Sequence, residues 1–205
     1  MNKVDVLRQI EKAVVSCKKC RLCKSATRAV PGEGNPNSQI AFIGEAPGYN
    51  EDQQGRPFVG RAGKMLEEML RSIGLKREDV WIGNIIKHRP PENRDPMVDE
   101  VRACSPYLDS QLRAISPKVV VPLGRFALEF FDKDGKISKD HGVPKKVGNK
   151  IIFPLYHPAA ALRNPAVEKI LRTEFKKIKE VMIMGLKDFE DKGIKKKDDK
   201  QMSLI

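Results

Sequence analysis

Three of the four cysteines in this chain, Cys17, Cys20 and Cys23, fall within SCKKCRLCKS, and the fourth, Cys104, lies 81 positions beyond the last of them. Thiolates at CxxCxxC spacing with one distant partner are a ferredoxin-like ligand vocabulary, whereas structural zinc more often draws on two paired knuckles far apart in sequence. Iron–sulfur is therefore favoured over zinc. A second set of chemically able residues is spread over GEAPGYNEDQQGRPFVG, NIIKHRPPENR and HPAAALRNP. The GEAPG turn lacks the GxxxxGK[ST] pattern of a phosphate cradle and sets Glu45 where an anion would be repelled, which argues against nucleotide hydrolysis. These residues suit a nucleobase better: Asn84 offers an amide donor beside an acceptor, Phe58 an aromatic face and His157 a hydrogen-bond donor. Taken singly, each has a plainer reading as turn former, core residue or loop-fixing histidine.

The elements that must position them alternate in type. QIAFIG, VWIGNI, KVVVPLG and KIIFPLY are short apolar runs that suit buried strands. VDVLRQIEKAVVS is an amphipathic opening helix, and GRAGKMLEEMLRSIG carries Met65, Leu66, Met69, Leu70 and Ile73 at helical spacing before its Gly74 stop. Val98, Val101, Cys104, Leu108, Leu112 and Ile115 form another helical stripe, which places Cys104 toward the core. RFALEFF is a short helix, and Val167 to about Met184 a closing one. The pattern predicts an α/β, three-layer α/β/α fold around a central four-stranded, mainly parallel sheet, with its ligand site at the carboxyl ends of the strands. Each of the three unusual segments leaves such an end.

A length of 205 residues suits one globular domain, taken as 1–184, followed by a charged, mobile tail, 185–205. The formal net charge is +12; the tail's six lysines face five acids, so most of the excess belongs to the folded part and points to a polyanionic partner. No apolar run approaches the roughly 20 residues that span a bilayer, and charges interrupt the N-terminus too often for a secretory signal. The expected location is cytoplasmic, associated with the nucleoid.

Over roughly residues 10 to 180, GEAPGYNEDQQGRPFVGRAG, NIIKHRPPENRDP and HPAAALRNP, in that order, resemble the defining motifs of the family 4 uracil-DNA glycosylases, the iron–sulfur branch of their superfamily. The resemblance implies removal of uracil from DNA by turning the nucleotide out of the helix and hydrolysing its N-glycosidic bond, leaving an abasic site. It implies that the base stacks on Phe58, that Asn84 reads its edge, that Gly44 and Ala46 belong to the base-binding segment and that Glu51 shapes the side where thymine's methyl would fit. His157 is similar to the family's donor toward uracil O2, and Glu45 to the carboxylate that positions water and steadies the sugar cation. Leu162 matches the wedge that fills the vacated stack, with Arg163, Lys87, Arg89 and Arg94 as flanking phosphate contacts.

The same resemblance implies a 4Fe-4S cluster on four cysteines. Cys17, Cys20 and Cys104 match three of them, but His88, in KHRPP, stands where the family has cysteine. Position favours His88 as the fourth ligand and softness favours Cys23. A noncatalytic iron–sulfur nucleic-acid-binding module is the alternative function, against which Glu45, Asn84 and His157 speak, since binding alone needs none of them. A branch that attaches covalently to DNA through a histidine is a third reading, and the short KHRPP loop lacks its basic insertion. The terminal QMSLI places Gln201 and Leu204 like the start of a sliding-clamp-binding box without its aromatics. A monomer is expected.

Overall fold

The computed structural model describes residues 2–183; the 185–205 extension, its QMSLI segment and Met184 lie outside them. The strands are β1 (Glu33–Gly34), β2 (Ile40–Gly44), β3 (Trp81–Asn84), β4 (Val119–Pro122), β5 (Lys145–Val147) and β6 (Lys150–Ile152). The helices are α1 (Lys3–Val15), α2 (Tyr49–Gln54), α3 (Arg61–Ser72), α4 (Val98–Ile115), α5 (Arg125–Phe131), α6 (Ile137–Asp140), α7 (Pro158–Ala161), α8 (Pro165–Phe175) and α9 (Ile178–Ile183).

The period-2 geometry of the strands sorts their side chains into two cores. Ile40, Phe42, Val119, Val121 and Ile151 join Met65, Leu66, Met69 and Leu70 of α3 and Leu171 and Phe175 of α8 on one face. Ala41, Ile43, Val120 and Ile152 join Leu7 of α1 and Cys104, Leu108, Leu112 and Ile115 of α4 on the other. Burying a side chain of this kind stabilises the fold by roughly 1.5–3 kcal/mol, so the two apolar faces hold the layers together. This is the expected α/β/α sandwich.

The sheet order is β1-β3-β2-β4-β6-β5, and the four inner strands are all parallel. Among the described residues the sheet thus has six strands rather than the four expected. β1 and β5 add antiparallel edges of two and three residues. β5 returns into β6 through Gly148, whose φ of 56° suits the tight turn, and its Lys145 and Lys146 keep this edge unattractive to further strands. The closing helix is broken into α8 and α9. Val98, expected on the core stripe of α4, is 76% exposed in its first turn, while Cys104 faces inward.

Because the inner strands run parallel, Gly44, Asn84, Pro122 and the segment after Ile152 finish on one edge. That edge carries the loops of interest.

Candidate active site

A cavity of about 170 Å³ opens at this edge and is lined by Ala46, Gly48, Glu51, Phe58, Ala62, Asn84, His157 and Ala159. It is smaller than the roughly 300 Å³ at which drug-sized sites begin, and suits a single ring. Residues leaving β2, β3 and β6 therefore meet in one place. The Phe58 and His157 rings stand 5.6 Å apart and 29° from parallel. Asn84, the last residue of β3, is 2% exposed, and among the described residues no group bonds its side-chain amide. Both ends of that amide are left for a ligand. Gly44 does not line the cavity but permits it: a Cβ there would lie 2.5 Å from Asn84 Oδ1 and 2.7 Å from Phe58 Cζ.

The Phe58 turn is held from several sides. Its φ is 52°, a left-handed value that a phenylalanine adopts only when its surroundings enforce it. Glu51 Oε1 accepts from the N–H groups of Val59 and Gly60, both at 2.8 Å, and so places a negative charge at the N-terminus of α3. Arg77 donates to the Phe58 carbonyl at 2.9 Å and also to that of Pro57, while its Nε pairs with Glu33 of β1 at 2.6 Å. Gly63 lets this turn lie against α3, since a Cβ would come within 1.9 Å of the Phe58 oxygen. Sequence reasoning missed Arg77 and Gly63, which lie in helical and charged stretches with no local sign of a tertiary partner.

His157 caps α7, with Pro158 preset for the first helical turn. Its Nδ1 accepts from Ala159 N–H at 3.0 Å, so the ring proton sits on Nε2 and makes that atom a donor. Burial, reinforced by Arg163 and opposed by Glu51, pulls His157 down to about 4 and keeps it neutral near pH 7. Gly124 lets the ring approach, because a Cβ would meet that of His157 at 3.0 Å and its φ of 87° favours glycine. Glu45 is half-buried and is not among the lining residues. Burial and the neighbouring Asp95 raise it to about 6, against the opposing pull of Arg125.

The expected phosphate contacts divide. Arg163 is exposed, with its Nε on the Ala159 carbonyl at 3.1 Å. Arg89 bonds Asn93 and lies 5.3 Å over the exposed ring of Tyr49, next in sequence to the cavity-lining Gly48. Arg94 is half-exposed, and both its Nη atoms bond the buried Glu100 carboxylate, at 2.9 and 2.7 Å. Lys87 is a correction, since it is 0% exposed and its ammonium bonds only internal oxygens. Leu162, expected as an exposed tip, is half-buried and packs against the main core.

The cysteines share one neighbourhood on the α1–α4 side. Burial raises Cys20, with the charges of Cys17, Glu100 and Cys23 adding to it. Burial likewise pushes Cys104 up to about 11, against the charge and N–H of Lys87, and both Cys20 and Cys17 act on it. Cys17, Cys23 and His88 line a common cavity of about 730 Å³. Among the described residues no three His, Cys, Asp or Glu side chains are gathered closely enough to coordinate an ion as they stand. By donor chemistry the set fits a thiolate-bound group: Cys20 feels the charges of Cys17 and Cys23, Cys104 those of Cys20 and Cys17, and a metal would deprotonate each thiol it bound.

A three-layer fold with a base-sized cavity at the parallel strand ends defines a class, and residues 31–182 match the family model of the uracil DNA glycosylase superfamily, to which the chain belongs. Within it the chain is similar to the type-4 uracil-DNA glycosylases. It is 52% identical over 190 residues to that of Sulfurisphaera tokodaii, covering 88% of this chain and 86% of the relative. It is 49% identical over 187 residues to that of Archaeoglobus fulgidus, covering 87% and 94%, and 48% identical over 189 residues to that of Saccharolobus solfataricus, covering 87% and 88%. The family expected from the three motifs is the family found.

Proposed function

We propose that this chain removes uracil from DNA by hydrolysing the N-glycosidic bond and leaving an abasic site. The observation that carries the proposal is the convergence of Phe58, Asn84 and His157 on one base-sized cavity. The bond cannot be reached within a stacked duplex, so the nucleotide is turned out into this cavity. Phe58 offers its face to the ring. Asn84 meets the N3–H donor and O4 acceptor of uracil with its oxygen and nitrogen; cytosine has the reverse polarity and would leave buried groups unpaired. Glu51, which lines the cavity, shapes the side where the methyl of thymine would fit.

Bond cleavage builds negative charge on the departing base and positive charge on the sugar. The neutral His157 donates from Nε2 toward O2 as that oxygen becomes anionic, a contribution of about 10²- to 10³-fold for a well-aimed donor. Glu45, as a carboxylate, steadies the sugar cation and orients the attacking water. Leu162 fills the vacated stack, and Arg89 and Arg163 contact phosphates.

Cys17, Cys20 and Cys104 hold a 4Fe-4S cluster, with His88 as fourth ligand in preference to Cys23 because His88 follows the turn that presents Asn84. Such a group supplies a covalent cross-link between chain segments. Anaerobically purified His88→Ala should lose iron or change its Mössbauer signature while Cys23→Ala keeps both; the opposite result assigns the site to Cys23.

The test of function is a single-stranded oligonucleotide containing one uracil. Wild type should give alkali-labile product over many turnovers. Asn84→Asp, whose carboxylate cannot donate to O4, should release uracil about 10²-fold or more slowly. Absence of product from the wild type leaves the noncatalytic reading, and a product that stays attached to the protein leaves the covalent one.

A further inference from the structure

Lys87 lies in the turn that follows Asn84, and its side chain folds back beneath it. The Nζ donates to the Asn84 carbonyl at 2.9 Å and to Gln111 Oε1 at 2.7 Å. Gln111, on α4, is itself fixed by donating from Nε2 to the Pro31 carbonyl at 2.8 Å. The backbone between them is equally constrained. Ile85 and Ile86 N–H groups bond the carbonyls of Gly44 and Glu45, both at 3.0 Å, and Lys87 N–H bonds Cys104 Sγ at 3.2 Å.

An ammonium withdrawn from water costs free energy that neutral acceptors only partly return, and an apolar side chain would fill the same space more cheaply. Packing alone therefore does not account for a lysine here. What the charge contributes is direction: it pins the carbonyl of the residue whose amide faces the cavity.

We propose that Lys87 is a positioning residue for base recognition, fixing the Asn84 peptide, and through it the Asn84 amide, against an anchor formed by Gln111 and Pro31. This rests on the reading of Asn84 as the group that binds uracil. A displacement of about 1 Å at a recognition group costs on the order of 10²-fold in rate, which sets the scale of the effect.

Lys87→Met keeps the length and apolar stem and removes the donors. Under single-turnover conditions it should slow uracil release by about ten- to hundredfold while leaving the affinity for abasic-site DNA unchanged. In an Asn84→Ala background the same substitution should change release by less than about threefold, because groups acting through one partner are not additive. Free-uracil affinity measured by equilibrium dialysis gives the same cycle without catalysis. Gln111→Leu, which removes the anchor and leaves the lysine, should give a smaller loss with the same non-additivity and covers the case in which Lys87→Met does not fold. Wild-type rates in these variants, or losses that multiply in full with Asn84→Ala, would overturn the proposal and make Lys87 a packing residue. A wild type that neither binds nor releases uracil sinks the enzymatic reading instead.

Discussion

Glu45 and His157 are displaced in opposite directions by the same cause, burial that penalises whichever form carries charge. In the proposed mechanism Glu45 works as an anion, and its proton is held up to about 6, whereas His157 works neutral and takes up a proton only at about 4. The rate of uracil release should thus rise with pH along one limb centred near 6 and stay flat above it. Glu45→Gln should abolish that limb and lower the plateau, as a pH series under single-turnover conditions will show. Stability carries the opposite imprint for Glu45: folding retains its proton, so the contribution is present below its ordinary value of 4.5 and is lost as pH rises through about 6. For His157 the contribution is present above its ordinary 6.5 and is lost as pH falls toward 4. A urea midpoint measured across this range should therefore lose less in Glu45→Gln as pH rises.

Among the elements, the Phe58 turn lies close against α3. Gly63→Ala would drive a methyl into the Phe58 carbonyl, a backbone atom that cannot swing aside. The substitution should cost about 1–3 kcal/mol, read as a lower urea midpoint at unchanged slope. Gly48→Ala meets only the end of the Glu51 side chain, at 2.8 Å, and should cost less. The inner strands were legible in the sequence as short unbroken apolar runs, buried on both faces, and the long helices because their apolar residues recur at a period near 3.6. β1 and β5 were not, being too short to show any period. The cavity walls were legible as three odd compositions at strand exits. Lys87 was misread because a cation in a polar loop looks solvated until tertiary folding supplies Asn84 and Gln111 as its partners.

For the molecule as a whole, the net charge of +12 gives a long-range attraction for a phosphate backbone, but single arginines contribute unequally. Arg89→Ala and Arg163→Ala should each reduce the salt dependence of DNA binding by about one counterion. Arg94→Ala should leave that slope unchanged and lower the unfolding midpoint, since it strips the buried Glu100 of its bidentate partner. Equal slopes in all three variants would contradict this division. The placement of β2 has a bearing on how the chain is made. On the ribosome Ile40–Gly44 emerges ahead of both its ladder neighbours, Trp81–Asn84 and Val119–Pro122. Its amide and carbonyl rows cannot both be paired until the second of these has been synthesised, so full closure of this sheet waits on more than half of the chain.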